Sequence, residues 1–204
     1  NGSESFTART ISTAANNARS VYAMDVDGDG DMDVLSASYY DDKIAWYENN
    51  GSGSFTEHVI SDSADYAYSV YAADMDGDGD MDVLSASKSD DKIAWYENNG
   101  SESFTEHAIS TSANGARFVY AGDVDGDGDM DVLSASQNDG KITWYEHVQE
   151  IPYTYVPDDN FEQALIDLGY DDVLDNYVAT HNIRSVTSLD VSSKLISDLT
   201  GIED

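Results

Sequence analysis

The chain contains no cysteine, which excludes disulfides, thiolate metal sites and a cysteine nucleophile. Cations are scarce as well: nine lysines and arginines stand against 41 aspartates and glutamates, and the formal net charge of the 204 residues is -32. Such a surface repels nucleic-acid phosphates and anionic lipids, so its natural counterpart is a cation. No apolar run approaches the roughly 20 residues of a transmembrane helix. We therefore expect neither a nucleic-acid partner nor membrane insertion of this segment.

The acidity does not make the chain a disordered tail. Hydrophobic residues form 40% of it and aromatic residues 11%, including 14 tyrosines and three tryptophans, which is enough for a core. No signal peptide is visible, and the chain does not begin with methionine. Its first residues, Asn-Gly-Ser, recur inside later repeats at 50–52 and 99–101. We therefore expect the chain to be a piece of a longer protein.

One block of sequence occurs three times. DGDGDMDVLSAS recurs unchanged at 27–38, 76–87 and 125–136, a period of 49 residues because 76 − 27 and 125 − 76 both equal 49. Val, Ile, Tyr, Trp and Phe dominate four short segments around each copy, and Gly, Asn, Asp and Ser separate these segments, which predicts four strands. In the first copy the predicted strands are Ser20–Met24, Asp33–Ser38, Lys43–Glu48 and Ser54–Ile60.

The predicted strands are apolar on both faces, as in the segment IAWY at 44–47, so each sheet is expected to be covered on both sides. A radial β-propeller meets this requirement, with one four-stranded sheet per repeat of about 40 to 50 residues. Residues 5–11 resemble the fourth strand of an earlier copy, and the third copy lacks its fourth strand. Because propellers have about four to eight blades, we expect a mainly β, partial propeller with further repeats upstream. Its exposed sheet edges would be prone to association.

The sequence changes character after the third repeat. The stretch IPYTYVP contains both prolines of the chain, and a linker is predicted at 148–156. Beyond it, DDNFEQALIDLG has helical spacing, with Asp159 and Glu162 placed as a capping box and Gly169 as the stop. The segment VTSLDVSSKLISDLTGIED then predicts a strand, a turn and a helical return.

Each repeat contains aspartates at every second position. In the first copy, Asp25, Asp27, Asp29 and Asp33 stand at loop positions 1, 3, 5 and 9, and the intervening glycines let the backbone curl so that the carboxylates converge. The backbone carbonyl of Asp31 can supply a fifth oxygen. A flexible, all-oxygen site suits Ca²⁺, whereas Mg²⁺ keeps more waters and transition metals prefer His or Cys nearby. The alternative is an acidic, solvated turn.

The aspartate loop differs from two other calcium motifs and carries no catalytic partner. It is not an EF-hand, because position 12 is Ser36 rather than glutamate and strands are predicted on both sides. The glycine-rich nonapeptide of β-roll proteins is absent as well. All three loops are equivalent, and neither a base nor a nucleophile accompanies them, which favours a structural metal over a catalytic one. We therefore expect no enzymatic activity from this chain.

DVDGDGDMDVLSAS followed by KIAWYENNGSGSFTEH resembles the FG-GAP/VCBS repeat, the blade unit of integrin-α-like β-propellers. The resemblance covers roughly residues 1–147, as units of about 2–50, 51–99 and 100–147. It implies one structural Ca²⁺ in a hairpin loop of each blade. Ser-Ala-Ser stands where the family has Gly-Ala-Pro, in the strand after the loop. Carried over position by position, the implied metal ligands are the five alternating aspartates of each loop: Asp25, Asp27, Asp29, Asp31, Asp33, Asp74, Asp76, Asp78, Asp80, Asp82, Asp123, Asp125, Asp127, Asp129 and Asp131.

The tail at 157–204 resembles the N-terminal cap and first repeat of bacterial leucine-rich-repeat surface proteins, on the residues VPDDNFEQALIDLGYDD and VTSLDVSSKLISDLTGIED. This resemblance implies the small α/β start of a solenoid, truncated at its C-terminal end. Together the two resemblances imply a bacterial protein that is secreted or attached to the cell surface.

Aromatic residues and histidines have two interpretations. Tyr39 and Tyr40 lie in a loop and are unique to the first repeat, which makes them the better candidates for ligand contact. His58 and His107 repeat within a strand and are interpreted as structural. Mid-strand positions favour the core over a carbohydrate-stacking platform for the three tryptophans: Trp46, Trp95 and Trp144.

The function expected from these observations is a non-enzymatic, calcium-stabilised extracellular scaffold or adhesion module that binds a protein or glycan partner. The competing expectation is an accessory region of a larger secreted, polysaccharide-acting enzyme whose active site lies outside this chain. An apolar-lined cleft with converging carboxylates, away from the aspartate loops, would favour the enzyme. A third expectation is a spacer that holds another domain away from the cell.

Overall fold

The computed structural model describes residues 4–148, 153–183, 186, 188–192 and 194–200. The chain divides into two compact units, Asn1–Val148 and Gln149–Asp204, and it is mainly β with antiparallel sheets, as predicted. Part of the predicted linker at 148–156, residues 149–152, lies outside the described residues. In the described residues no helix has both the length and the apolar character needed to span a bilayer.

The first unit contains three antiparallel sheets, one for each repeat, with the strands of each sheet in chain order. The first sheet consists of β1 (Ala18–Met24), β2 (Asp33–Ser38), β3 (Lys43–Asn49) and β4 (Phe55–Ser61). The second consists of β5 (Ala67–Ala73), β6 (Asp82–Ser87), β7 (Lys92–Asn98) and β8 (Phe104–Ser110). The third consists of β9 (Ala116–Gly122), β10 (Asp131–Ser136) and β11 (Lys141–Tyr145).

The predicted strands of the first repeat are confirmed to within about two residues at each end, which is the usual uncertainty of strand bounds. The third sheet has three strands rather than four, because no further Ser-Phe-Thr segment follows β11. The strand predicted at 5–11 is wrong, since residues 5–11 are not in a strand. A fourth strand pairs with the third strand of its own sheet, as Trp46 pairs with His58, and the described residues offer no such neighbour to 5–11.

The sheets lie side by side through their first strands. Tyr22, Tyr71 and Tyr120 hold the same position in the three repeats, and the neighbouring ring centroids are 4.8 and 4.6 Å apart. Ile44 and Trp46 of β3 are buried in one core cluster with apolar residues of β5 and β6. Full burial of an isoleucine contributes about 1.5 to 3 kcal/mol. The strands are apolar on both faces because each sheet can bury one face against each neighbour.

Identical residues of the repeats are not equally buried. Ile44 and Ile93 have no exposed surface, whereas Ile142, at the same position of the third sheet, is 87% exposed. Val21 on β1 is likewise exposed, and its equivalent Val70 is buried. Within the described residues, one face of the first sheet and one face of the third therefore have no neighbouring sheet. The three described sheets do not form a closed ring.

The second unit is small. Strand β12 (Tyr153–Tyr155) pairs antiparallel with β13 (Tyr177–Ala179), and helix α1 (Asp159–Asp167) lies between them in the chain. A short helix α2 (Thr180–Ile183) follows β13. Helix α1 confirms the helix that the periodicity of DDNFEQALIDLG predicts, and its apolar residues Phe161 and Leu165 are buried.

The predicted capping box of α1 is wrong. Asp158, not Asp159, is the N-cap, and its side chain accepts hydrogen bonds of 3.0 Å from the backbone N–H groups of the second and third helical residues. Glu162 is fully buried and turns away from the helix start. Its Oε1 accepts from three successive backbone N–H groups at the end of the loop before β13 and at the first residue of β13: Asp175, Asn176 and Tyr177.

The C-terminal segment differs from its prediction. The strand and helical return expected in 186–204 are not formed in the described residues of that segment, which contain neither helix nor strand. Apolar and polar contacts hold it instead. Leu189, Val191 and Ile196 pack against the core cluster that contains Phe161 and Leu165. The Asp158 carboxylate accepts from the N–H and hydroxyl of Ser197 and from the N–H of Asp198. These bonds, led by the one from the Ser197 hydroxyl, lower the pKa of Asp158 to about 2. The described residues of this segment therefore do not show a leucine-rich repeat.

Candidate metal sites in the aspartate loops

The aspartate loops connect the first and second strands of each sheet. In each loop, one carboxylate oxygen from each of the first three alternating aspartates lies within 4.8 Å of the other two. The three clusters are Asp25, Asp27 and Asp29; Asp74, Asp76 and Asp78; and Asp123, Asp125 and Asp127. The structure thus brings nine of the fifteen predicted ligands together in three groups, each with the spacing of oxygens that share a cation.

The loop curls because its aspartates bind their own backbone. Asp25 accepts from Gly28 N at 2.8 Å and from Gly30 N at 3.0 Å, which folds the loop around the first carboxylate. Asp27 accepts from Asp29 N at 3.1 Å, and the same bonds recur in the other two loops. Gly28 and Gly30 have φ of 75° and 93°, values that glycine adopts without steric cost. The alternation of aspartate and glycine therefore encodes the loop shape.

The last aspartate of each loop has a different place. Asp33 is fully buried; its Oδ2 accepts from Val26 N at 3.0 Å and its Oδ1 from Asn49 N at 2.7 Å. Asp82 and Asp131 make the equivalent pairs of bonds. This carboxylate ties the start of the loop to the end of the third strand or the residues just after it. Each oxygen keeps a second lone pair, so its role as a metal ligand stays a prediction.

The fourth aspartate of the first two loops faces the turn between the third and fourth strands. A Cβ on Gly51 would collide with the carboxylate of Asp31, and Gly100 stands in the same relation to Asp80. The described residues after β11 form no such turn. All three cluster aspartates of the third loop are exposed, whereas two of the three are half-buried in each of the other loops. We expect the third loop to be the weakest site. The carbonyl ligands predicted at this position, including Asp129, stay a prediction.

The clusters carry uncompensated negative charge. Within the described part of the chain, none of the nine cluster aspartates forms an ion pair with a lysine, arginine or histidine. Burial, and then the charges of Asp78 and Asp74, raise the pKa of Asp76 above its ordinary value. The pKa of Asp125 is shifted in the same direction. A divalent cation would remove this repulsion, and a donor set made only of oxygens fits calcium.

Asp82 and Asp131 form a matched pair for a pH experiment. Burial raises the pKa of Asp82 to about 6, although two backbone hydrogen bonds oppose it. Burial acts in the same direction at Asp131, but there the hydrogen bonds, led by the one from His147 N, outweigh it and lower the pKa. The difference follows from the position of Asp131 in the third sheet, one face of which lacks a neighbouring sheet.

In calcium-free protein, Asp82 should make the folded state more stable as the pH falls from 7 through 6 towards 4, because the folded state binds its proton more readily than the unfolded state. The stability that Asp131 contributes should be constant down to about pH 4 and should be lost below that value. The test is urea unfolding from pH 3 to 7 of wild type, Asp82→Asn and Asp131→Asn. The wild-type advantage over Asp82→Asn should grow as pH falls. The same slope for both variants would contradict this assignment.

The repeated tryptophans and histidines are structural. Trp46 is buried and stacks on His58 with ring centroids 4.5 Å apart, and Trp95 stacks on His107 at 4.7 Å. Trp144 is partly exposed, because the third sheet has no fourth strand to supply a histidine. In the described residues the three tryptophans therefore do not form a shared carbohydrate platform.

Tyr39 and Tyr40, which the sequence singled out, have neighbours that sequence reasoning missed. Tyr66, in the turn before the second sheet, contacts both rings, and Arg19 of β1 lies over the ring of Tyr39. A signal for one of these neighbours was present. Tyr66 stands where the other repeats carry Asn17 and Gly115, so a bulky ring replaces two residues typical of turns.

Comparison with protein families matches the FG-GAP-like repeat to residues 1–36, 25–85 and 74–134, which together span about two thirds of the chain. The chain belongs to the FG-GAP-like repeat family. No curated protein matches the chain. The matched residues include the aspartate loops and the strands on either side of them, so the family assignment covers all three candidate metal sites.

Proposed function

We propose that the chain is a calcium-stabilised extracellular scaffold or adhesion module, non-catalytic, that binds a protein or glycan partner. The observation that carries the proposal is the threefold repetition of a carboxylate cluster whose oxygens lie within 4.8 Å of one another. Its membership of the FG-GAP-like repeat family supports an extracellular repeat module. Large repeat surfaces of this kind serve recognition rather than chemistry.

Calcium in the first loop would be held by the carboxylates of Asp25, Asp27, Asp29 and Asp33 and by the carbonyl of Asp31, and in the other loops by their equivalents. Extracellular modules bind calcium with dissociation constants near 10⁻⁴ to 10⁻³ M, which matches the millimolar calcium outside cells. The metal would neutralise the loop and link the first strand to the second. In a chain without cysteine, it would replace a disulfide as the cross-link.

The same proposal includes a secreted or cell-surface location in a bacterium, a partial β-propeller in the first unit and the start of a leucine-rich-repeat domain in the second. The propeller is supported by three sheets that lie side by side through their first strands. The uncovered face at Ile142 supports an incomplete ring. The leucine-rich-repeat start rests on the residues that carry the resemblance and on helix α1.

The alternative is an accessory region of a larger secreted, polysaccharide-acting enzyme whose active site lies outside this chain. An apolar-lined cleft with converging carboxylates, away from the aspartate loops, would favour it. The first unit contains a mainly apolar cavity of about 150 Å³ between the second and third sheets, but a single carboxylate, that of Glu146, lines it. This cavity therefore does not favour a glycosidase site within the described residues.

The experiment pairs a binding screen with an activity assay. The chain is applied to arrays of oligosaccharides and of extracellular proteins, in 2 mM calcium (about the extracellular level) and in EDTA, and the release of reducing ends is measured on the same polysaccharides. We expect binding that requires calcium and no release of reducing ends. Release of reducing ends by the chain alone would overturn the non-catalytic proposal. Binding that EDTA leaves unchanged would overturn the dependence on calcium.

A further inference from the structure

A cluster of four tyrosines and two arginines lies at the opposite end of the strands from the aspartate loops. The pairing of β1 with β2 defines the two ends: Met24 faces Asp33 beside the loop, and Ala18 faces Ser38 at the other end. The tyrosine–arginine cluster consists of Arg19, Tyr39, Tyr40, Tyr66, Tyr68 and Arg117. It shares no residue with the candidate metal sites, so the two can be altered separately.

The rings form a compact aromatic group. Tyr39 stacks on Tyr66 with centroids 4.3 Å apart and ring planes 18° from parallel. Tyr40 meets Tyr39 edge-on at 5.1 Å and Tyr66 at 6.5 Å, and Tyr68 meets Tyr39 edge-on at 5.9 Å. These are favourable arrangements for aromatic pairs. The cluster therefore holds its rings in fixed orientations.

Both arginines lie against these rings. The guanidinium carbon of Arg19 is 4.8 Å from the centroid of Tyr39 and 5.2 Å from that of Tyr68, and that of Arg117 is 4.2 Å from Tyr68. Arg117 also donates to the Tyr68 hydroxyl and to Gln137. Cations over aromatic faces are attracted by the ring quadrupole.

The placement of the arginines is unusual for so acidic a chain. Within the described residues, neither Arg19 nor Arg117 forms an ion pair, although the net charge is -32. Lys43, Lys92 and Lys141 each pair with a carboxylate. The two guanidinium groups therefore present N–H donors beside aromatic rings rather than against aspartates.

The repeat does not require this cluster. Tyr39 and Tyr40 correspond to Lys-Ser at 88–89 in the second repeat and to Gln-Asn at 137–138 in the third. The preceding strand keeps its sequence in all three repeats, and the following strand differs only by Thr143 in the third. The fold is therefore formed with small or polar residues at these positions. Two neighbouring tyrosines in one repeat are explained better by a contact than by packing.

Tyr66 points to the same conclusion through its backbone. Its φ is +58°, in the left-handed region that disfavours large side chains, and its equivalents Asn17 and Gly115 have φ of 61° and 70°. Asparagine and glycine tolerate that region, and tyrosine is strained there. The Asp42 carboxylate accepts from Tyr66 N at 2.8 Å and holds the turn. In this turn the ring of Tyr66 stacks on that of Tyr39.

Part of the cluster is open to solvent. Tyr40 is 60% exposed and Tyr66 39% exposed, and Arg19 is exposed. Tyr68 and Arg117 are half-buried and join the second sheet to the third. The outer ring surfaces of Tyr40 and Tyr66 and the donors of Arg19 are thus the parts that a ligand can reach.

We infer that the tyrosine–arginine cluster is a binding site for a neutral oligosaccharide. The apolar C–H faces of a pyranose can pack on the rings of Tyr40 and Tyr66, and its hydroxyl groups can accept from Arg19. The negative electrostatic field of the chain repels an acidic glycan, and the guanidinium groups repel a cationic ligand. A neutral ligand experiences neither repulsion. This inference rests on the proposed function as a binding scaffold and names the site and the ligand class.

The test is isothermal titration calorimetry of the full chain in calcium, against cellohexaose, xylohexaose, mannohexaose and maltohexaose, with hexagalacturonate as the acidic counterpart. At least one neutral hexasaccharide should bind. Tyr40→Ala and Tyr66→Asn should each lower that affinity by about tenfold or more, the effect of losing one or more ring contacts. Tyr66→Asn introduces the residue that the first repeat carries at this position, so it should fold. Ser89→Ala, the second-repeat counterpart of Tyr40→Ala, is the control and should bind like wild type.

Three results would overturn the inference: no binding of any neutral hexasaccharide, preferred binding of hexagalacturonate, or unchanged affinity in both tyrosine variants. A purely structural role predicts lower melting temperatures for both variants without a change in sugar binding. Calcium-dependent melting is recorded on the same samples. If calcium stabilises the chain and no sugar binds, the glycan site is wrong and the calcium scaffold stands; if calcium has no effect, the proposed function itself fails.

Discussion

Calcium should raise the melting temperature of the metal-free chain by on the order of 15 to 30 °C. A site filled at a hundred times its dissociation constant contributes about 2.7 kcal/mol, so three sites contribute about 8 kcal/mol. A domain of this size shifts by about 2 to 4 °C per kcal/mol. With dissociation constants near 10⁻⁴ M, about 10 mM calcium reaches this level. The measurement is thermal unfolding in EDTA and across a calcium titration, with magnesium in parallel.

The matching variant replaces one aspartate in each cluster: Asp27→Asn, Asp76→Asn and Asp125→Asn together. Asparagine can still accept the loop's backbone hydrogen bond, so the loops keep their shape while each loses one negative charge. Without calcium this variant should melt at or above the wild-type temperature, because repulsion is relieved, and its calcium response should be largely lost. A control with the same charge change at exposed acidic residues, Glu4→Gln, Asp62→Asn and Asp65→Asn, should keep the response. If the wild-type chain stays folded and its melting temperature does not change with calcium, the loops are solvated turns and not metal sites.

Ile93→Ala should lower the free energy of unfolding by about 2 to 4 kcal/mol, because truncating a buried isoleucine loses its transfer free energy and leaves a cavity. Ile142→Ala should change it by less than about 0.5 kcal/mol, because the same side chain is 87% exposed in the third sheet. Both residues stand at the same position of the repeat, in strands of nearly identical sequence. The change in strand propensity is therefore the same in both variants and does not contribute to the difference between them. Urea unfolding of the two variants in saturating calcium provides the comparison.

Ile44→Ala is the second buried member of the series and should behave like Ile93→Ala. A large loss in Ile142→Ala would mean that another surface covers the third sheet in solution. Sedimentation velocity on wild type and on Ile142→Asp then tests whether that surface belongs to a second copy of the chain. It does if wild type associates and the variant does not. A loss of similar size in all three alanine variants would contradict the burial pattern described above.

Much of the first unit is predictable because its signals are local and repeated. Strand β2 begins at Asp33, at the end of the aspartate loop. Strand β3 contains the apolar run 44–47, and residues typical of turns stand before and after this strand. The convergence of Asp25, Asp27 and Asp29 follows from their alternation with glycines of positive φ. Three copies at a spacing of 49 residues leave little freedom for another interpretation.

What sequence reasoning missed depends on contacts between segments distant in the chain. One of the two backbone hydrogen bonds that Asp33 accepts comes from Asn49, which is 16 residues away, so this structural role does not follow from the local sequence. Ile142 stands in nearly the same local sequence as Ile93, KITWY against KIAWY, and it is exposed because no sheet of the described residues faces it. Glu162 has the spacing of a capping box, but its carboxylate accepts instead from three backbone N–H groups at 175–177, more than ten residues further along the chain.

The most direct test of calcium in the aspartate loops is isothermal titration calorimetry of calcium into the metal-free chain. The three carboxylate clusters predict three ions per chain, with the third loop binding most weakly. Asp27→Asn should lower the number of tight ions by one, and Asp76→Asn should do the same independently. No heat of calcium binding, or a stoichiometry that neither substitution changes, would contradict calcium binding in these loops.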